Sequence, residues 1–397
     1  MVKKFLLVIF VSLFFVGCGV SEVDDSNKYL VSSELLVEVD AATLKSALPA
    51  QQAAMVQFGY KAYKIIYNTN LKGEPLKASG LLVLPTGYEA VEGFSLSMVC
   101  DAHPTIFANR EIPTANFLPA NNAIGMSFSV MGGFVTIQPD AIGFGSSSDV
   151  IHPFMIKDAA ANASIDMIQA VIEFARANYL PINGQLFLSG YSEGGYNTMA
   201  TLKELEENYS ESIKVMAAAP MEAPYNMDLM AQGILSSELM PVPSFPAFVA
   251  YSYANYYDSV SLDQLISTTY AVSMPTLYDG SLERIEIDPH LTYNTQELFT
   301  PNAINGYFTN PDDSFKSAIV ENSIHNWTPK TKMRLYHCDE DPVIPYIFSQ
   351  EAYSNFVANG ATDVELITMH GSDHSIECAE MAYPQVVAWF DQVRRGE

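Results

Sequence analysis

A serine set between two glycines, Gly190-Tyr191-Ser192-Glu193-Gly194, is the first feature of this chain able to do covalent chemistry. A serine hydroxyl is a weak nucleophile at neutral pH and needs an adjacent base and a defined setting. Here the setting is a strand-to-helix turn. Gln185-Leu186-Phe187-Leu188-Ser189 is a short apolar run of buried-strand type, and Tyr196 to Leu205 carries the helix that follows. A tight turn between them requires flanking positions without side chains, which leaves the serine oxygen standing clear of the backbone. The helix start also aims its amides at the place where an oxyanion would form. The pattern is that of a nucleophile elbow; the competing reading is a tight turn whose serine only packs.

A base and an orienting acid must then be found downstream. Met333 to Cys338 reads as a strand, followed by Asp339-Glu340-Asp341-Pro342-Val343-Ile344-Pro345. Val364 to Met369 reads as the last strand and leads into His370-Gly371-Ser372-Asp373-His374. In the α/β-hydrolases the triad runs serine, acid, histidine along the chain. The Asp-x-Val-x-Pro pattern resembles their acid loop and selects Asp341, with Asp339 as runner-up and Glu340 behind it. The Gly-x-x-His ending resembles their histidine loop and selects His374 over His370.

More of the chain agrees. Gly133 to Gln138 is another short apolar strand, followed by Pro139-Asp140-Ala141-Ile142-Gly143-Phe144-Gly145-Ser146 and then His152-Pro153-Phe154. With the elbow Gly190-Tyr191-Ser192-Glu193-Gly194-Gly195, these segments resemble the secretory lipases of the α/β-hydrolase superfamily, from about Gly80 to the C-terminus. The resemblance implies an α/β fold with a mostly parallel central sheet flanked by helices and a largely helical cap insertion. It also implies carboxylic-ester hydrolysis, with the triad on Ser192, Asp341 and His374. The oxyanion donors would be the backbone amide of Glu193 and one from the loop after the strand Phe94 to Cys100. Related hydrolases often carry His-Gly-x in that loop. This chain has His103-Pro104-Thr105, and proline has no N–H to give. Thr105 is the remaining donor, while Asp101 could donate instead or position the loop.

Residues 36–220 and 331–397 are expected to form the catalytic domain, with 221–330 inserted as the cap. The insertion is rich in methionine and aromatic residues: Met221, Met227, Met230 and Met240, then Phe245, Phe248, Tyr251, Tyr253, Tyr256 and Tyr257. Most of these should pack the cap onto the core, and a few should shield an acyl pocket from water. Asp140, Asp158 and Glu173 are expected as loop or surface residues. Ile165, Ile168, Ile172 and Ala175 have the spacing of a core-facing helix stripe. If the fold is right, the acid and histidine loops meet, which brings Cys338 and Cys378 to one rim of the sheet and makes a disulfide between them the expected pairing. Cys100, which also ends a strand on the catalytic side, is the competing partner.

The N-terminus indicates location. Lys3 and Lys4 precede an apolar run from Phe5 to Val16, too short to span a bilayer and suited to a signal peptide over residues 1–17. Phe15-Val16-Gly17-Cys18 resembles the lipobox of bacterial lipoproteins, which implies lipidation of Cys18. Residues 18–35 would be an acidic tether, and the destination the outer membrane or cell surface. The alternative is a soluble secreted protein cut near Gly19. The net charge is −25, from 20 basic and 45 acidic residues, which disfavours nucleic acid and anionic headgroups as partners. Nothing resembles a zinc helix motif or a calcium loop, so no metal and no cofactor is expected. The reading is a membrane-anchored serine hydrolase acting on small or lipid-like esters. A serine peptidase on the same fold and a non-catalytic binding lipoprotein remain open.

Overall fold

A computed structural model describes residues 27–397 apart from 91–93, 211, 372–373 and 375, so the lipobox and Cys18 lie outside the described residues. Nine strands form one sheet: β1 (Leu30–Val39), β2 (Gly59–Leu71), β3 (Glu74–Thr86), β4 (Leu96–Ala102), β5 (Val135–Pro139), β6 (Ile182–Tyr191), β7 (Val215–Met221), β8 (Lys332–Cys338) and β9 (Val364–Met369). Their order across the sheet is β1-β2-β3-β5-β4-β6-β7-β8-β9. From β5 to β9 every neighbouring pair is parallel. β1, β2 and β3 add an antiparallel flank that ends on β5. The fold is the expected mostly parallel α/β-hydrolase sheet with an antiparallel extension.

Strand chemistry explains the layering. In β6 the side-chain period of two sends Leu186 and Leu188 to one face and Phe187 to the other. On the first face lie the helices Lys157–Ala177 and Glu193–Asn208, which bury Ile165, Ile168, Tyr196 and Met199. The opposite face is covered by the helices Pro119–Gly132 and Ile376–Arg395, where Phe390 packs against Phe128 and Phe187 at centroid distances of 5.8 and 4.9 Å. The stripe Ile165, Ile168, Ile172, Ala175 faces the core as its spacing requires.

The sequence-based boundaries shift in several places. β1 starts at Leu30, inside the segment read as tether, because Glu173 accepts the backbone N–H groups of Lys28, Tyr29 and Leu30 and pins the chain there. Glu173 is therefore a half-buried anchor. Asp140 is a loop residue but fully buried, accepting from Ser79 Oγ, Thr114 N and Thr114 Oγ1 at 2.6–2.9 Å. Asp158 is exposed, as expected. Met221, read as part of the insertion, is instead the last residue of β7, paired with Tyr191 and Tyr336; from there to β8 the described regular elements are helices, the longest being Met227–Ser236 and Ser244–Tyr256.

The register of the parallel strands positions the site. Tyr191 pairs with Met221, Met221 with Tyr336, and Cys338 with Met369. Four strands thus end level on one edge, and the loops after them start side by side.

The cap joins this body through buried hydroxyls as well as apolar contact. Tyr196 Oη lies 2.8 Å from the carbonyl of Asn322 and 3.2 Å from that of Met155, and Tyr253 Oη donates to Met155 O at 3.0 Å. Tyr196→Phe is expected to lower unfolding stability by about 1–3 kcal/mol, since it leaves a buried carbonyl without its donor. Urea unfolding at fixed pH measures this, and no loss would mean that the hydroxyl contributes nothing.

Candidate active site

Ser192 sits at φ +59°, ψ −121°, a backbone conformation that a residue with a Cβ adopts only when its surroundings impose it. Two close approaches impose it. A Cβ on Gly190 would lie 2.2 Å from the carbonyl oxygen of Gly194, across the turn itself. One on Gly194 would lie 2.0 Å from the carbonyl oxygen of Ala102, so the helix start is pressed against the end of β4. The Ser192 N–H is tied to Met221 O at 2.9 Å, joining the elbow to the neighbouring strand.

The loops after β8 and β9 converge on this serine. His374 Nε2 lies 2.9 Å from Ser192 Oγ, and His374 Nδ1 lies 2.6 Å from Asp341 Oδ2. Asp341 Oδ1 accepts the N–H groups of Val343 and Ile344 at 2.8 and 2.9 Å, so the carboxylate is fixed from both sides. The runners-up pair elsewhere: Asp339 Oδ2 meets His370 Nδ1 at 2.6 Å on the exposed rim. Glu340 is exposed.

The electrostatics follow from this packing. Burial disfavours a charge on His374, but hydrogen bonds and negative charge from Asp341 and Glu222 outweigh it and raise its pKa to about 9. Burial pushes His337 down; that ring has Ser349 Oγ on Nδ1 at 2.7 Å and Ile344 O on Nε2 at 2.8 Å. A neutral ring meets both by accepting from the hydroxyl and donating to the carbonyl. His337 thereby holds the acid loop from below, a role that its place inside a strand did not disclose.

Thr105 lines the same cavity as Ser192 and His374. Glu193 is the first residue of its helix, so its N–H has no partner within that helix. Asp101 has its carboxyl held by Tyr383 Oη and Gln138 Nε2, both at 3.1 Å, and burial raises its pKa to about 7. That geometry fits a group that positions the loop. The Glu193 side chain, given no part by the sequence, is buried against His152 Nε2 at 2.8 Å, while His152 Nδ1 meets Ile142 O at 2.6 Å. The ring thus bridges the Glu193 carboxylate and the Ile142 carbonyl. This contact anchors the elbow to the loop containing His152-Pro153-Phe154.

Above the serine opens a cavity of about 300 Å³. The body contributes Phe154, Phe348 and the acid-loop residues Pro342 to Pro345; the cap contributes Met227, Met230, Met240, Phe245 and Val249. None of its described lining residues is Asp, Glu, Lys or Arg.

A family model for secretory lipases matches residues 121–397. The chain belongs to the secretory lipase family. Membership makes it a carboxylic ester hydrolase. A solved Legionella pneumophila protein shares 26% identity and superimposes with a TM-score of 0.82 over 93% of this chain and 99% of its own. The rice cell wall degrading esterase LipA from Xanthomonas oryzae shares 23% identity, with a TM-score of 0.79 over 92% of this chain and 98% of its own. Candida antarctica lipase A in its closed state, at 12% identity, has a TM-score of 0.69 over 94% and 83%. These likenesses below 25% speak for the fold alone. No curated protein sequence matches this secretory lipase.

Cys338 and Cys378 are joined by a disulfide with a Cα separation of 6.3 Å, and Cys100 is free and buried on the other flank of β6. The bond closes a loop of 40 residues, and chain-entropy reasoning assigns such a crosslink roughly 3–4 kcal/mol. Peptide mapping of unreduced protein should recover Cys338 crosslinked to Cys378, with Cys100 alkylated only after denaturation. A crosslink containing Cys100 would overturn the pairing.

Proposed function

We propose that this secretory lipase is a lipid-anchored, extracytoplasmic serine esterase working through an acyl-enzyme on esters with an apolar acyl group. One observation carries the mechanism: Ser192, His374 and Asp341 form an unbroken hydrogen-bonded chain that opens into a mostly apolar cavity. In this reading His374 Nε2 takes the Ser192 proton as Oγ attacks the ester carbonyl. Asp341 holds the Nδ1–H tautomer and stabilises the imidazolium that forms. The tetrahedral oxyanion is received by the Glu193 amide, with Thr105 beside it. Collapse expels the alcohol with the proton from His374, and a water activated by the same nitrogen releases the acid.

Away from Ser192 and His374 the mostly apolar lining favours an acyl chain over a peptide, whose polar backbone would find few partners there. A panel of p-nitrophenyl esters of increasing acyl length, run beside aminoacyl amides, tests this; preferred cleavage of the amides would overturn it.

Ser192→Ala and His374→Ala are each expected to lower kcat by several orders of magnitude and, for Ser192, to abolish fluorophosphonate labelling. Asp341→Asn should cost at least about a hundredfold, and Asp339→Asn should stay close to wild type. The reverse order of those two would move the acid to Asp339. Since a protonated imidazole cannot accept the serine proton, kcat/KM should rise with pH and level off only above about 9, the pKa of His374.

The anchor rests on the lipobox-like Phe15-Val16-Gly17-Cys18, and among the described residues no helix is long and apolar enough to cross a membrane. Cys18→Ser should shift the protein from the membrane to the soluble fraction while leaving esterase activity intact, because several acyl chains are needed for stable anchoring. Fractionation with detergent extraction reads this out, and unchanged membrane retention of the variant would remove the lipid anchor from the account.

A further inference from the structure

Beside Asp341 a second carboxylate reaches the same imidazole nitrogen. Glu222 follows β7 directly, and one of its oxygens lies 3.4 Å from His374 Nδ1. The Glu222 side chain is fully buried, and its backbone is held at φ +44°, a conformation disfavoured for any residue with a Cβ. The backbone is fixed there by Glu222 N–H donating to Tyr336 O at 3.0 Å. The carboxylate is aimed by two donors: Cys338 N–H at 2.7 Å on Oε1 and the Tyr191 hydroxyl on Oε2. The Sγ of Cys378 covers Oε1. Among the described residues no lysine or arginine pairs with it. A buried carboxylate without a cation is costly. The positive charge within its reach is the one that His374 acquires when it takes a proton.

We propose that Glu222 is a positioning residue for His374, a second acid that shares Nδ1 with Asp341 and stabilises the imidazolium formed during turnover. The proposal rests on the reading of His374 as the base. Strand order makes the arrangement possible: β7 lies between the strand of the nucleophile and the strand of the acid. Residues after β6, β7 and β8 therefore converge on one imidazole. The groups facing His374 are Ser192 on Nε2, Asp341 and Glu222 on Nδ1, and the Tyr191 ring stacked at 5.5 Å. His337, kept neutral by burial, lies behind Asp341 at 3.8 Å.

The test is a cycle of Glu222→Gln, Asp341→Asn and the double variant, with full pH profiles of kcat/KM on a soluble p-nitrophenyl ester. Glutamine keeps the shape and an acceptor for Cys338 N–H but removes the charge. For Glu222→Gln the rising limb should move down by about one pH unit or more, as for loss of a neighbouring opposite charge. Asp341→Asn should fall short of the roughly 10⁴-fold loss that follows amidation of a lone acid, because Glu222 can still hold Nδ1–H. The double variant should lose at least a further tenfold.

An unmoved limb in Glu222→Gln, with a double variant no slower than Asp341→Asn, would reduce Glu222 to a structural bracket. Should Glu222→Gln fail to fold, Tyr191→Phe serves instead. It withdraws a donor from the carboxylate, leaving more charge for His374, and should move the limb up; no movement again overturns the proposal. Failure of the underlying reading looks different: turnover would survive Ser192→Ala and His374→Ala.

Discussion

The 2.6 Å contact between His374 Nδ1 and Asp341 is the interaction on which the rest of the site depends. An imidazole on a loop has two torsions of its own and many orientations. Pinning one nitrogen to a fixed carboxylate leaves the other in a single place, 2.9 Å from Ser192 Oγ. The carboxylate can do this only because it is immobile itself. Two backbone N–H groups bind its far oxygen, and the His337 ring holds the Ile344 carbonyl of the same loop. The disulfide Cys338–Cys378 adds a covalent tie between the strand before the acid and the helix after the histidine. Charge-assisted bonds of this kind are short and roughly twice as strong as neutral ones. Out of water they also resist competition from solvent.

How much of this could be read from the sequence follows from which signals are local. The elbow was legible because its geometry demands glycine at fixed positions, and the collisions that a Cβ would meet at Gly190 and Gly194 are the physical form of that demand. The central strands β4, β5 and β6 were legible as short, largely apolar segments because both faces of a parallel sheet are covered. β1 to β3 gave no such sign. The β2–β3 turn places Lys72 and Gly73 both at positive φ, at 55° and 83°, where Asn-Gly would be the recognisable pair. Glu222, His337 and the partnership of Glu193 with His152 were illegible for another reason. Glu222 and the Glu193–His152 pair act across 41 to over a hundred residues of sequence, and the His337 partners, 7 and 12 residues on, depend on how the loop after β8 folds back, which no local pattern carries.

The cap illustrates how magnitude separates the contacts that hold it from those that decorate it. Arg110 reaches from the loop after β4 to Glu283, Glu286 and the Ser281 carbonyl of the cap. These side chains are 38–49% exposed, and exposed ion pairs typically contribute about 0–1 kcal/mol. Three residues earlier, Phe107 sits between Phe248 at 5.4 Å, Phe245 at 5.8 Å and Tyr278 at 6.1 Å. Phe154 stacks on Phe248 at 4.8 Å. Each such aromatic pair adds about 0.5–1.5 kcal/mol beyond the apolar area it buries. The aromatic cluster, with the tyrosine hydroxyls below it, therefore fixes the cap, and the arginine contributes orientation. Phe107 and Thr105 share one loop, and Phe245 lies both in that cluster and in the cavity wall. The same apolar contact that seats the cap thus fixes the side of the cavity that faces Ser192.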